Sequence, residues 1–311
     1  MSFSGRLKDE ICSLPSNPVS LFSELHAIIR YDAEVSKNLI SFTFENPAVA
    51  RRVFKDIKES FNISSHVIVR RQKKLRAKPI YIIEIREQIN SILERFGIMR
   101  NGKKCDIDRD YFSDPEEMVA FIRGAFLVRG SITDPSTSGY HLEYIFNRKK
   151  DALFVQELLR EMKFNLKIAM RNGKYLLYLK SSEEISDMIR MFEASNSLFY
   201  FEDVRIYRDH KNMVNRLNNC EIANQEKSTQ AGMRQLAIIS DLKKYDLYDL
   251  LDEKTRLVLD FRSKYPESSY NELASIILME ADYKIGKSGI NHHFIKAKKL
   301  LNQYLENTKN K

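Results

Sequence analysis

No run of apolar residues in this 311-residue chain approaches the length of a membrane span, and the opening stretch MSFSGRLKDEICSL has no apolar segment of the kind a secretory signal needs. Neither a transmembrane helix nor a signal peptide is expected. The three cysteines, Cys12, Cys105 and Cys220, are far apart and odd in number, with no C-x-x-C pair and no histidine cluster beside them. That pattern argues against a disulfide frame or structural zinc and for a reducing cytoplasm. Tryptophan is absent, and no polybasic amphipathic helix carries the aromatic anchor that would hold it in a lipid interface.

What is present is ordinary in amount: 43% hydrophobic and 30% charged residues, as in soluble globular proteins, over a length sufficient for two or three domains. The formal net charge of +9 favours a polyanionic partner, nucleic acid before membrane. A basic protein with no such partner would show the same balance.

Two stretches share one pattern: Leu21 to Val35, LFSELHAIIRYDAEV, and Met118 to Ile132, MVAFIRGAFLVRGSI. In each, apolar residues recur at helical spacing and two small residues stand six apart, Ala27 and Ala33 in the first, Gly124 and Gly130 in the second. Small side chains let backbones approach, so these helices are expected to pack together along a pseudo-twofold axis. The elements after them repeat as well. LISFTFEN reads as a strand, PAVARRVFKDIKESF as a helix with Val49, Val53, Ile57 and Phe61 on one face, HVIVRRQ and KPIYIIEIR as strands, and about Gln88 to Phe96 as a closing helix. YHLEYIFN, KKDALFVQELLREM, FNLKIAMRN with KYLLYLK, and SEEISDMIRMF follow in the same order. Equivalent stretches lie roughly 95 to 103 residues apart, which fits two halves of one α+β domain better than a solenoid. A short helix over residues 4–14 precedes the first copy, and residues 201–235, rich in Asn, Lys and Arg, read as a partly helical connector.

Toward the end of the chain, a helix near Asp252 to Tyr265 stops before Pro266. SYNELASIIL then opens with Ser269 and places Glu272 three residues later, a capping box. In KSGINHHFIKAKKLLNQYL, Ile290, Phe294, Ala297 and Leu301 form a buried stripe, and Ser288, Asn291, His292, Lys296 and Lys299 a polar face without a carboxylate. From Gly286 to Lys311 six lysines stand against one acid, Glu306. A short middle helix, a turn and a basic final helix meet the requirements of a helix-turn-helix. The expected DNA contacts are Ser269, Lys287, Ser288, Asn291, His292, His293, Lys296 and Lys299, with Asn291 and His292 toward base edges and the lysines toward phosphates. A trihelical bundle with a solvated basic face would look alike on charge alone.

Three other features carry weaker chemistry. Arg70, Arg71, Lys73, Lys74, Arg76 and Lys78 form a loop without acids, which could lie along a phosphate backbone or simply blunt an edge strand. Ala281 to Ser288, ADYKIGKS, fits a permissive P-loop pattern but follows a helix rather than a strand, so it reads as a chance match. Asp32 is the one acid of the paired helices suited to metal chemistry, and a two-metal nuclease needs a carboxylate from each helix end. Arg129 stands at the equivalent place in the second copy, leaving that constellation half missing and making Arg129 a candidate partner for Asp32.

The paired helices resemble LAGLIDADG homing endonucleases. RGAFLVRGSITDP, GYHLEYIF, FEDVRIYRDHKNMVNRLNNCEIAN and KSGINHHFIKAKKL together are similar to the WhiA family of Gram-positive regulators, over nearly the whole chain, with MVNRLNNCEIAN the most specific run. The resemblance implies an α+β fold: a pseudo-symmetric LAGLIDADG-like duplicated αββαββα domain, catalytically degenerate, followed by an all-α, sigma-factor-like helix-turn-helix domain. The expected division is residues 1–205, in halves of about 1–100 and 101–205, a linker 206–235, and a DNA-binding domain 236–311. The resemblance also implies a non-enzymatic, cofactor-free and metal-free transcriptional regulator linked to cell division and chromosome segregation, and to sporulation in filamentous relatives. Its partners would be double-stranded DNA and a protein of transcription or division, and it would act as a monomer at the nucleoid in the cytoplasm. Two alternatives stay open: a metal-dependent DNA endonuclease using Asp32, and a scaffold whose first domain senses a nucleotide or protein ligand. The chain departs from the family pattern at Asp32 and Ala33, where an uncharged residue and Gly are usual.

Overall fold

The computed structural model describes residues 2–15, 17–71, 79–100, 103–107, 111–112, 114–137 and 139–309. Lys73, Lys74, Arg76 and Lys78 of the basic loop lie outside the described residues. The chain divides into two units, Met1–Arg208 and Asp209–Lys311, each with its own hydrophobic core.

In the first unit α1 (Phe3–Ser13) precedes two halves of one design. The first half runs α2 (Pro18–Asp32), β1 (Glu34–Ser36), β2 (Leu39–Phe44), α3 (Pro47–Phe61), β3 (His66–Arg70), β4 (Ile80–Ile85), α4 (Ile89–Arg95). A small hairpin, β5 (Met99–Arg100) and β6 (Lys103–Lys104), follows. The second half runs α5 (Pro115–Arg129), β7 (Gly130–Ile132), β8 (Leu142–Phe146), α6 (Lys149–Glu161), β9 (Lys167–Arg171), β10 (Lys174–Leu179), α7 (Ser182–Met191). Each half is αββαββα, and the antiparallel sheets have matching orders, β1-β2-β4-β3 and β7-β8-β10-β9. The duplication read from the sequence is therefore a duplication of topology.

Local chemistry starts and stops these elements. Asn17 with Pro18, Asn46 with Pro47 and Asp114 with Pro115 use one grammar: an Asx side chain accepts from a first-turn N–H, and proline fills a position whose own N–H would be unpaired. Ile40, Phe42 and Phe44 on β2, and Leu142, Tyr144 and Phe146 on β8, alternate into the core as strand geometry requires. Between β9 and β10 the two-residue turn is Asn172 and Gly173, at φ 51° and 73°, the positive-φ pair that a tight hairpin needs. The organising helices end earlier than their apolar pattern predicts. Ala33 and Gly130 turn extended, so Val35 and Ile132 belong to short edge strands rather than to helices.

At the seam α2 packs on α5. A Cβ on residue 124 would stand 2.3 Å from the carbonyl oxygen of Glu24, so only glycine permits this approach. Gly130, expected at the same seam, instead lies against the ring of Phe126 in its own helix. Beside Gly124 the Glu24 side chain is fully buried and takes Nε of Arg52 at 3.1 Å and Nε of Arg123 at 2.8 Å. Arg52 also donates to Asp56 at 3.1 Å and to the Leu14 carbonyl at 2.7 Å. Burial pushes the pKa of Asp56 up to about 7, with Arg52 opposing.

The second half fills the equivalent space differently. Aligning the helix starts, Pro18 with Pro115 and the caps Asn46 with Arg148, sets Glu24 against Phe121, His26 against Arg123, and Arg52 against Phe154. Glu24 pairs with Arg123 and Arg52 where Phe121 packs on His26, with centroids 5.3 Å apart, and on Phe154, at 5.9 Å. An ion cluster on one side of the pseudo-twofold is an aromatic cluster on the other. His26 is fully buried with no hydrogen-bond partner on either ring nitrogen among the described residues, and burial pushes its pKa down to about 3, keeping it neutral.

One long helix, α8 (Ser195–Lys244), carries Phe201 in the first core and Ile239 and Leu242 in the second. Segment 206–235, read as a partly helical connector, is helical throughout. The second unit continues with a 3-10 turn (Tyr248–Leu250), α9 (Glu253–Lys264), α10 (Tyr270–Ala281) and α11 (Lys287–Lys309). Among the described residues no helix is long and apolar enough to cross a membrane.

Gly124→Ala should destabilise the first unit by on the order of 3 kcal/mol, because the contact is with backbone and cannot relax by a rotamer change. Urea unfolding followed by circular dichroism measures this; an unchanged midpoint would show that the helices can separate at little cost.

Candidate nucleic-acid interface

The helix-turn-helix is set by its caps. Asp252 accepts from the Thr255 N–H at the start of α9, and α10 opens on the expected capping box, Ser269 with Glu272. Asp282, at φ 51°, ends α10 in the left-handed conformation that an Asx residue tolerates. The Gly286 carbonyl accepts the first bond of α11, from Ile290. Ile290, Phe294, Ala297 and Leu301 are buried, as their spacing predicts.

Ser288, Asn291, His292, Lys296 and Lys299 are all exposed, and their spacing puts them on one side of α11. Ile295 lies in the middle of that side and is 57% exposed. The sequence reading passed over it because an apolar residue in an amphipathic helix is normally assigned to the core. An exposed aliphatic side chain among polar ones is suited to the methyl group of thymine.

Two of the expected contacts are tied to neighbours. Asn291 accepts from the Tyr270 hydroxyl at 3.4 Å, which orients its amide. Lys296 Nζ is 2.9 Å from Asp252 Oδ2, so the face expected to have no carboxylate receives one from α9. Hydrogen bonds from Thr255 and Lys296 hold Asp252 well below the usual carboxylate range.

Three others are placed elsewhere. His293 is half-buried beside α9, with Nδ1 2.9 Å from Thr255 Oγ1; burial holds its pKa below the ordinary histidine value, with Asp252 opposing. Its position is in the packing of α11 on α9, away from the exposed side. The Ser269 hydroxyl is committed to the α10 cap, and Lys287 lines a cleft beside α10.

In the first unit Arg70 and Arg71 are exposed at the end of β3. β3 also exposes Val67 and Val69, and β9, the outer strand of the other sheet, exposes Met170. The charges at the seam are paired. Asp32 Oδ1 is 3.2 Å from Arg129, and Arg129 donates to the Tyr31 carbonyl. A cleft of about 430 Å³ there includes Lys8, Asp32 and Glu45. Burial pushes the pKa of Lys8 down to about 8 and that of Asp32 up to about 6 despite Arg129 and Lys8. A divalent ion at Asp32 would meet Arg129, and among the described residues no three His, Cys, Asp or Glu side chains gather as a metal site requires. The residues do not fit the metal centre of a nuclease.

Because Asp32 binds its proton more tightly folded than unfolded, its contribution to stability is present below pH about 4 and is lost as the pH rises toward 6. Asp32→Asn lacks that loss. Its thermal stability should gain on wild type between pH 4 and 6, by on the order of 2 kcal/mol, and stay level above. Parallel melting curves across that range would refute the shift.

Three family profiles match the chain: the WhiA N-terminal LAGLIDADG-like domain over residues 21–99, the WhiA LAGLIDADG-like domain over 118–211, and the WhiA C-terminal HTH domain over 214–301. The chain is 35% identical to a probable cell division protein WhiA of Lactobacillus acidophilus, covering 95% of this chain and 96% of that one. It is 34% identical to the protein of that name from Staphylococcus haemolyticus, covering 96% of each. Among solved structures, full-length DUF199/WhiA from Thermatoga maritima matches 97% of this chain and 99% of its own, at 22% identity and a TM-score of 0.56.

Proposed function

This chain belongs to the WhiA family, and from that premise we propose that it is a DNA-binding transcriptional regulator of cell division, without enzymatic activity, that reads duplex DNA with α11. The observation that carries this reading is the solvent side of α11, where Ser288, Asn291, His292, Ile295 and Lys299 stand exposed on a helix held at three points by α9 and α10. Hydrogen-bonding side chains, one aliphatic contact and a lysine on one helical face are the components of major-groove readout. Lys287, Lys296 and Lys299 supply phosphate neutralisation, and Arg70 and Arg71 supply a separate basic contact in the first unit. Ser269 supports the face by capping α10, and His293 by docking α11.

The remaining assignments rest on the family. The regulator acts in chromosome segregation as well as division, as a monomer at the nucleoid, with a protein partner from transcription or division. Its domains divide as residues 1–205, 206–235 and 236–311, the middle stretch lying within α8. The seam of the first domain is a scaffold that no longer cuts: the metal-dependent endonuclease reading would need a second carboxylate where Arg129 stands.

The triple variant Asn291→Ala, His292→Ala, Lys296→Ala should keep the wild-type circular dichroism spectrum and lose at least about tenfold in affinity for chromosomal sites recovered by immunoprecipitation, since each base contact is worth ~1–3 kcal/mol. Unchanged affinity would remove α11 as the reading element. Supercoiled plasmid incubated with the protein and Mg²⁺ or Mn²⁺ should stay intact; cleavage that disappears in Asp32→Ala would restore the nuclease.

A further inference from the structure

The second unit contains a cleft of about 500 Å³ whose lining belongs partly to α8 and partly to the helix-turn-helix. Asn224, Lys227 and Ser228 come from α8; Arg262, Tyr270 and Lys287 come from the three following helices. Here α8 is pressed onto the turn between α9 and α10: a Cβ on residue 232 would stand 2.5 Å from the Pro266 carbonyl oxygen. Ser269 and Asn271 bring the start of the twelve-residue α10 to the same cleft.

Its charge is one-sided. No lining residue is acidic. Arg262 is 2% exposed, and among the described residues no carboxylate pairs with it. Its Nη1 donates to the carbonyls of Tyr265, Pro266 and Ser268, while its Nε has no hydrogen-bond partner among the described residues. A buried guanidinium answered by carbonyl dipoles and by the face of the Tyr270 ring, 5.9 Å away, keeps a net positive charge, and burial lowers its pKa with Tyr270 opposing. Lys227 and Lys287 add two exposed ammonium groups; at the start of α10 the capping box takes the Ser269 and Glu272 N–H groups, and those of Tyr270 and Asn271 lack partners within their own helix. A buried cation, two lysines, a helix start and hydroxyl or amide groups from Ser228 and Asn224 are the donors a phosphate takes.

We propose that this cleft is a phosphate site occupied by a backbone phosphate of the duplex under α11, so that α8 is part of the DNA-binding surface. Lys287 belongs both to the cleft and to the first turn of α11, so a strand running past that turn passes the cleft mouth. The inference rests on the reading of α11 as the DNA-binding helix and extends the contact to the helix before it. A free phosphate or nucleotide would use the same chemistry, and the test separates the two sources.

The test uses the full chain and fluorescence anisotropy on a random-sequence duplex at rising KCl. Lys227→Gln, at an exposed helical position, should weaken binding roughly threefold to tenfold and flatten the salt dependence by about 0.9 in the log-log slope, the amount for one phosphate contact. Lys227→Glu should weaken binding further, and Lys211→Gln, on the same helix outside the cleft, should change neither quantity. Retained binding with wild-type slopes in both Lys227 variants overturns the inference while leaving the α11 reading intact; absence of duplex binding by wild type overturns both. Calorimetry with inorganic phosphate and with ATP covers the other source. Micromolar binding that Lys227→Glu abolishes, with duplex binding unaltered, would assign the cleft to a free anion and overturn the DNA contact.

Discussion

Where α2 and α5 meet, the carbonyl oxygen of Glu24 occupies the place a side chain on residue 124 would need, and the carboxylate of the same Glu24 is buried between two guanidiniums. Close approach and charge pairing are one constraint here. The glycine brings the backbones near enough for Arg123 to reach Glu24 across the seam, and Arg52 brings α3 in from the side. Removing either arginine would leave a buried carboxylate with half its compensation, at a cost of ~3–5 kcal/mol. The sheets of both halves are then attached to a spine whose geometry has little latitude.

At the ends of the same two helices the one acid suited to metal chemistry is committed elsewhere. Asp32 is held by Arg129 and stands near Lys8, so the acid that could have bound a metal serves an ion pair at the helix ends. The chemistry that suits nucleic acid lies in the second unit. There a chain of contacts fixes α11: Asp252 caps α9 and takes Lys296, while Thr255 meets His293. On the other flank Gln235 donates to Tyr270, whose hydroxyl reaches Asn291. Side chains on a helix anchored along both flanks have little freedom left to lose.

Much of this was legible from local patterns. The capping box at Ser269 and Glu272, the stripe through Ile290 and Leu301, and the strand alternation at Phe42 and Phe44 are set by near neighbours in sequence. What escaped depends on partners far along the chain. Val35 and Ile132 suit a helix or an edge strand equally, and pairing with β2 and β8 decides. Gly130 has the spacing of a seam residue, yet Phe126 of its own helix is what excludes a side chain there. Asp252 reaches Lys296 only because α9 folds beside α11, and His293 leaves the exposed side of α11 because Thr255 is there to receive it. The exposed half of α8 is helical although its polar composition reads as a connector, since Asn, Lys and Arg disfavour a strand without forbidding a helix.

The mismatch between the two halves also sets their history. A protein of this topology could arise from a self-pairing ancestor whose two copies met at one helix, and a symmetric pair places identical residues at equivalent points. Two copies of the present first half would set His26 where Arg123 stands and leave each Glu24 without its cross-seam cation; two copies of the second would set Phe121 against Arg123. In either case the pairs seen across the present seam would be lost. The ion cluster on one side and the aromatic cluster on the other make each half the complement of the other rather than a copy of it, so the seam specifies the pairing of unlike halves.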